Sequence, residues 1–188
     1  MKTRLPLARA EAWAYPWTER LLLCGAVLRV LVAGSVRRCK PTVGDIEVVC
    51  VPHVGPAEEP GDLLGPLIVE RDHLLHELDR QITAGDLVPG PRMGPRMRQY
   101  SIAALDGAQL DLFIVRPPAQ WGVIAAIRTG PADYSQWLVT RARTRGLYVQ
   151  DGALRRAGPG SVSMCEEEAY FFAALGLAMP EPRRRVAP

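Results

Sequence analysis

Little in this 188-residue chain points to a metal centre built from cysteine or histidine. Its four cysteines, Cys24, Cys39, Cys50 and Cys165, fall at none of the close spacings that bind zinc or carry dithiol chemistry. The three histidines, His53, His73 and His76, form no ligand triad, and His73 and His76 sit in a segment with helical periodicity, where surface or packing roles are expected. The longest apolar stretch, around residues 21–32, is broken by Gly25 and Arg29 and is too short to span a bilayer, so no membrane partner is expected. The basic start leads into no uninterrupted apolar run, so a signal peptide is not expected, and a cytoplasmic protein with reduced thiols follows. No internal repeat is visible. The formal net charge is only +3, too small to identify a polyanionic partner by itself.

What is present is aliphatic and unevenly charged. Hydrophobic residues make up 48% of the chain, enough for a folded body with a real core and a small appendage. Residues 53–90 carry eight acids against Arg71 and Arg80, a balance of −6, whereas residues 91–156 carry ten arginines against four aspartates, a balance of +6. Such asymmetry suits one face that meets a polyanion, although two ordinary solvated surfaces would give the same count.

The pattern predicts a mixed α+β chain. Residues 5–24 read as a helix that Pro16 should end or kink. Residues 28–33 and 45–51 read as strands, with a basic loop over 34–44 between them. Residues 53–66 read as a loop rich in proline, glycine and acids, residues 67–83 as an amphipathic helix, and residues 86–96 as a linker. Asp106-Gly107 and Asp151-Gly152 each mark a hairpin. Helices are expected over 118–127, 131–145 and from a capping box at Ser163 and Glu166 to about residue 175, followed by a loose tail over 180–188. The boundary between a body (1–116) and an α/β cap (117–188) is placed near residues 115–118.

Two stretches carry chemistry. Asp45 and Glu47 lie two apart in a strand pattern and so share a face, where two carboxylates repel unless a hard cation such as Mg²⁺ holds them. Asp111 opens an apolar run, and an acid there is costly without a partner. If the strands are neighbours, three carboxylates converge on a site for two metal ions. The alternative is that Asp45 and Glu47 line a solvent face and Asp111 is a hairpin-edge charge. Just before them, Gly34 and Ser35 offer backbone amides without side-chain obstruction, and Arg37, Arg38 and Lys40 follow, a composition suited to phosphate. The full string Gly-Ser-x-Arg-Arg-x-Lys, then Gly44-Asp45-x-Glu47, is far more specific than a lone Gly-Ser.

Residues 33–49 (AGSVRRCKPTVGDIEVV) resemble the palm motif of the family X DNA polymerases, the group that includes DNA polymerase beta. Asp111 in LDLFIV is similar to that family's third metal aspartate. Residues 120–152, with Thr129-Gly130 and an arginine-rich helix, resemble its thumb, and residues 165–177 (CEEEAYFFAALGL) its C-terminal stretch. The resemblance spans roughly residues 8–185 in the family's order.

That resemblance implies a nucleotidyltransferase palm (1–116) and a small thumb (117–188). Asp45, Glu47 and Asp111 would hold two Mg²⁺ ions, with Mn²⁺ as a substitute, and Asp111 would help deprotonate a primer 3′-hydroxyl. Gly34, Ser35, Arg38, Gly44, Ile127, Arg128, Thr129 and Gly130 would bind a dNTP, and Arg141, Arg143 and Arg145 would face DNA. The implied activity is DNA polymerase of the X type, acting as a monomer on a primer-template or gapped DNA in short-gap repair. Template-independent nucleotidyl transfer to nucleic acid, protein or a small molecule is the alternative enzyme, and a non-catalytic DNA-binding relic the alternative from another class. The 188 residues leave no room for the lyase domain or the helix-hairpin-helix DNA clamps of larger members. Glu47 stands for the usual aspartate, and Ile127-Arg128 stand where Tyr-Phe is common. Ser135, Gln136 and Val139 stand where Asn, Lys and Arg are common. These differences bear on template use and sugar selection rather than on nucleotidyl transfer itself.

Overall fold

The computed structural model describes residues 4–62, 65–156 and 165–188. In chain order the elements are β1 (Leu5–Pro6), α1 (Leu7–Leu23), β2 (Val27–Val32), α2 (Gly34–Arg37), β3 (Thr42–Val43), β4 (Ile46–Pro52), β5 (Val54–Asp62), β6 (Gly65–Asp72) and α3 (His73–Thr83). There follow β7 (Leu87–Met93), β8 (Met97–Ile102), β9 (Ala108–Ile114), α4 (Trp121–Thr129), α5 (Ala132–Thr144), β10 (Leu147–Gln150), β11 (Ala153–Arg156) and α6 (Glu168–Ala174). The fold is α+β, built on a mixed five-stranded sheet of order β2-β4-β9-β8-β7. Only the β4–β9 pair in that sheet is parallel. No described helix is long and apolar enough to cross a membrane.

Alternation along the two central strands sets both layers. Ile46, Val48 and Cys50 of β4 and Leu110, Leu112 and Ile114 of β9 point to one face. There they meet Ala10, Ala14, Trp17 and Leu21 of α1 and Leu74 and Leu78 of α3 in the main core. The other face carries Val49, Phe113 and Val115, which pack under Trp121 and Ile124 of α4. A further apolar cluster joins α4, α5, β10 and α6 through Val123, Ala126, Leu138, Leu147, Phe171 and Phe172.

Several elements differ from the sequence reading. Pro16 lies inside α1 without ending it. Pro16 and Ala12, whose carbonyl loses its helical donor, are both exposed, so water can satisfy that oxygen. Residues 63 and 64 of the expected loop lie outside the described residues, but 54–62 and 65–66 are not loop, and 67–72 are not helix. They form the β5–β6 hairpin, a two-stranded sheet of its own in which Ala57, Glu58 and Glu59 pair with Val69, Ile68 and Leu67. The β-branched pair Ile68-Val69 favours this choice. The helix starts only where the Asp72 side chain accepts the Leu75 N–H at 3.0 Å. Residues 87–93 of the expected linker form the edge strand β7, whose outer side makes no ladder bonds and therefore tolerates Pro89 and Pro91. The expected loop over 34–44 begins with the single helical turn α2. The helix expected from residue 118 starts at Trp121. The tail is held rather than loose: Arg185 is 2% exposed. Ser163 of the expected capping box lies outside the described residues. His73 takes the packing role allowed for it: its ring stacks on that of His53 with centroids 4.6 Å apart at the base of the β5–β6 hairpin.

Candidate active site

Parallel pairing sets Glu47 of β4 directly opposite Asp111 of β9. Both side chains therefore rise from the sheet face that α4 covers further along, and the two acids sit where that cover ends. Asp45, just ahead of β4, lies within electrostatic range of Glu47 and of Arg38. Burial, reinforced by Asp45 and Asp111 against the opposing pull of Arg128 and Arg38, raises the Glu47 pKa from 4.5 to about 7. Asp111 is oriented by two neutral amides: Gln99 Nε2 and Gln109 Nε2 donate to its Oδ1 at 3.0 and 2.8 Å.

The Gly-Ser segment begins α2 and packs onto this pair. Gly34 has φ +57°, and a Cβ added there would fall 1.8 Å from Glu47 Oε2, so only glycine allows the turn to approach the carboxylate. Ser35 Oγ and Arg38 Nε are buried without a hydrogen-bond partner among the described residues. Buried polar atoms of this kind are costly unless a ligand completes them. Arg38 donates through Nη1 to the Thr129 carbonyl at 2.5 Å, and Arg37 Nη1 donates to Thr129 Oγ1 at 2.6 Å. These bonds tie α2 to the end of α4.

A cavity of about 510 Å³ opens between these elements, lined by Arg38, Glu47, Ile127, Arg128, Gly130, Ser135 and Gln136 among others. The Arg128 guanidinium lies 3.9 Å from the centroid of Phe113, two residues from Asp111 on the same strand face. Ser135 turns inward, its hydroxyl donating to the Ile127 carbonyl at 2.6 Å. Gly130 packs on Tyr134, where an added Cβ would come within 2.6 Å of Cδ1.

The expected residues thus divide. Glu47, Arg38, Ile127, Arg128 and Gly130 line one cavity, and Asp111, Gly34, Ser35 and Thr129 adjoin those residues, Asp111 as the cross-strand partner of Glu47, Gly34 against its carboxylate, Ser35 in α2 and Thr129 bonded to Arg38. Gly44 has open space about its Cα and is not drawn into that packing. Of the arginine row on α5 and its end, Arg141 Nε donates to the Leu175 carbonyl at 3.3 Å, whereas Arg143 and Arg145 are exposed, Arg145 lying against Gly176. Among the described residues no three His, Cys, Asp or Glu side chains cluster as a ready-made metal site. Glu47 and Asp111 with nearby Asp45 nevertheless form an oxygen donor set with surplus negative charge, which fits a hard cation in chemistry.

Sequence reading missed a buried ion triad beside the cavity. Glu168 accepts from Arg37 at 2.6 Å and from Arg185 at 2.7 Å, and the Arg185 side chain is fully inaccessible. Burial pushes the Glu168 carboxyl up, but the hydrogen bonds from the two arginines outweigh it and hold its pKa below the ordinary value. A second link, Arg29 to Glu167 at 2.9 Å with the guanidinium 4.3 Å from the Trp121 ring centroid, joins β2 to α4 and α6. No spacing signal joins residue 37 to 168 and 185, because only the packing of α2 on α4 and α6 brings them together.

Residues 125–186 match the family model of the DNA polymerase beta thumb. The match runs from within α4 through α5, β10, β11 and α6 to the tail, and supports a relationship to the family X polymerases for that third of the chain. Comparison of the chain with curated proteins finds no match.

Proposed function

We propose that this chain is a DNA polymerase of the X type, with residues 1–116 as palm and 117–188 as thumb. The observation that carries the reading is that Glu47, paired across the sheet with Asp111, lines a cavity whose wall belongs to the thumb-matching segment. In this reading the cavity takes a dNTP. The Gly34 backbone, the Ser35 hydroxyl and the Arg38 guanidinium bind the triphosphate, which would complete the two buried polar atoms that lack partners. Ile127 and Arg128 line the sugar side. Asp111 accepts the proton of a primer 3′-hydroxyl, the freed 3′-oxygen bonds to the α-phosphorus, and the bond to the β-phosphate breaks with release of pyrophosphate. Asp45, Glu47 and Asp111 would hold magnesium, which when bound neutralises charge on the phosphates and lowers the cost of deprotonating the hydroxyl. The exposed Arg92, Arg96, Arg143, Arg145 and Arg156 would meet the DNA backbone.

One observation favours a second reading, transfer without a template. Ser135 is folded back on the Ile127 and Pro131 carbonyls, and Gln136 and Val139 complete that wall, so no cation reaches from it toward a paired base.

A one-nucleotide gapped DNA, each dNTP singly, and Mg²⁺ or Mn²⁺ test the proposal. Extension by the nucleotide complementary to the gap is expected, with a loss of at least about a thousandfold in a folded Asp111→Asn variant. Undiminished turnover in that variant removes Asp111 from the mechanism. Equal use of all four dNTPs, or equal extension of a single-stranded primer, transfers the assignment to template-independent synthesis.

A further inference from the structure

The proposed reaction requires Asp111 to keep its negative charge and to point one oxygen at the cavity. A carboxylate on a strand rotates about χ2 unless something holds it. In most buried sites the holder is a lysine or arginine, which also cancels the charge. Here the partners are two uncharged amides. Gln99 is the direct cross-strand neighbour of Asp111 on β8, and Gln109 lies two residues earlier on β9, so all three side chains share the face that carries Glu47. Both amides converge on the same atom, Oδ1. Two donors fill the two lone pairs of that oxygen. Among the described residues none donates to Oδ2.

We propose that Gln99 and Gln109 are positioning residues for Asp111: together they pin Oδ1 and leave Oδ2 as the oxygen offered to a divalent cation. Neutrality is the essential property. An amide donor fixes the carboxylate plane and leaves the full negative charge available to a cation, whereas a guanidinium in the same place would fix the plane and compete for the charge. Arg128 lies within electrostatic range of both acids and Arg38 of Glu47, but among the described residues neither guanidinium donates a hydrogen bond to Asp111, so the plane of its carboxylate is fixed by neutral groups. Because both donors act on one atom, loss of one leaves the other able to hold the plane in part, and loss of both frees it.

The inference rests on the reading of Asp111 as a cation ligand, and the test separates the two. Mn²⁺ binding to the full chain without nucleotide or DNA is measured by electron paramagnetic resonance, with the thermal midpoint of each variant recorded in EDTA. The variants are Gln99→Met, Gln109→Met, the double variant, Gln109→Arg and Asp111→Asn. Methionine keeps the volume of glutamine and removes the donor. Each single methionine variant is expected to weaken Mn²⁺ binding about fivefold, and the double variant by more than tenfold. Gln109→Arg, which retains donors, is expected to weaken binding more than Gln109→Met because it adds an opposing charge. A structural role alone would shift the thermal midpoint without this ranking. Wild-type affinity in both methionine variants, with Asp111→Asn abolishing binding, overturns the positioning role and leaves the cation site intact. Equal binding by wild type and Asp111→Asn overturns both.

Discussion

Glu47→Gln should make the metal-free protein more stable at pH 8 and leave it unchanged at pH 4. The reason lies in the raised pKa of Glu47, about 7 in the folded chain against 4.5 for an ordinary glutamate, caused first by burial and then by Asp45. Below pH 4.5 the carboxyl is protonated in both folded and unfolded states and contributes no difference. As pH rises from 4.5 toward 7 the unfolded chain releases the proton and the folded chain keeps it, so folded stability falls. Above 7 the loss levels off at about 3 kcal/mol. Glutamine keeps the shape and removes the ionisation, so the gap between variant and wild type should follow the same curve. For a chain of this size that gap corresponds to roughly 6–12 °C in thermal midpoint. Urea titrations of both proteins in EDTA at half-unit steps from pH 4 to 8.5 give the curve directly. A gap that is flat with pH, or a variant less stable than wild type at pH 8, would refute the electrostatic account of this site. Under the proposed function, Mn²⁺ at pH 8 should close the gap by stabilising only the wild type.

Three further outcomes follow from the geometry. Glu168→Ala removes the carboxylate between Arg37 and the inaccessible Arg185, and should destabilise the fold by about 3–5 kcal/mol, read by urea denaturation; a loss under 1 kcal/mol would mean that the triad adds little beyond packing. Arg38→Ala should weaken dNTP binding by roughly tenfold or more while changing DNA affinity little, since its unpartnered Nε belongs to the cavity, and equal losses in the two titrations count against that assignment. Ile127→Tyr should raise the dNTP-over-rNTP ratio of kcat/KM, because the Ile127 carbonyl is already engaged by Ser135 and the present wall is aliphatic. A loose apolar wall discriminates against one hydroxyl by about a hundredfold at most, so a wild-type ratio of several thousand would show that side-chain bulk is not the gate.

The sequence by itself determined the elements whose signal is local. The apolar runs in residues 45–51 and 109–115 marked the two central strands, and Asp106-Gly107 and Asp151-Gly152 marked the turns of two hairpins. These signals survive because they depend on burial and on φ values that aspartate and glycine tolerate, such as +53° at Asp106 and +77° at Gly107. Register was another matter. A two-residue turn at 106–107 would set Asp111 opposite Ile102, but a 3₁₀ turn over Ala103–Leu105 widens the loop, so Asp111 stands opposite Gln99 instead. The β5–β6 hairpin was hidden by its prolines and acids, which read as loop although cross-strand pairing offsets them. Arg185 read as solvated tail, because its partner Glu168 and the aromatic Phe172 beneath it meet only when α6 and the tail pack together. Local propensity and periodicity thus chose most strands and helices, whereas the pairings that shape the site join residues 64 to 131 positions apart, as in Glu47 with Asp111 and Arg37 with Glu168, and only the closed fold makes them neighbours.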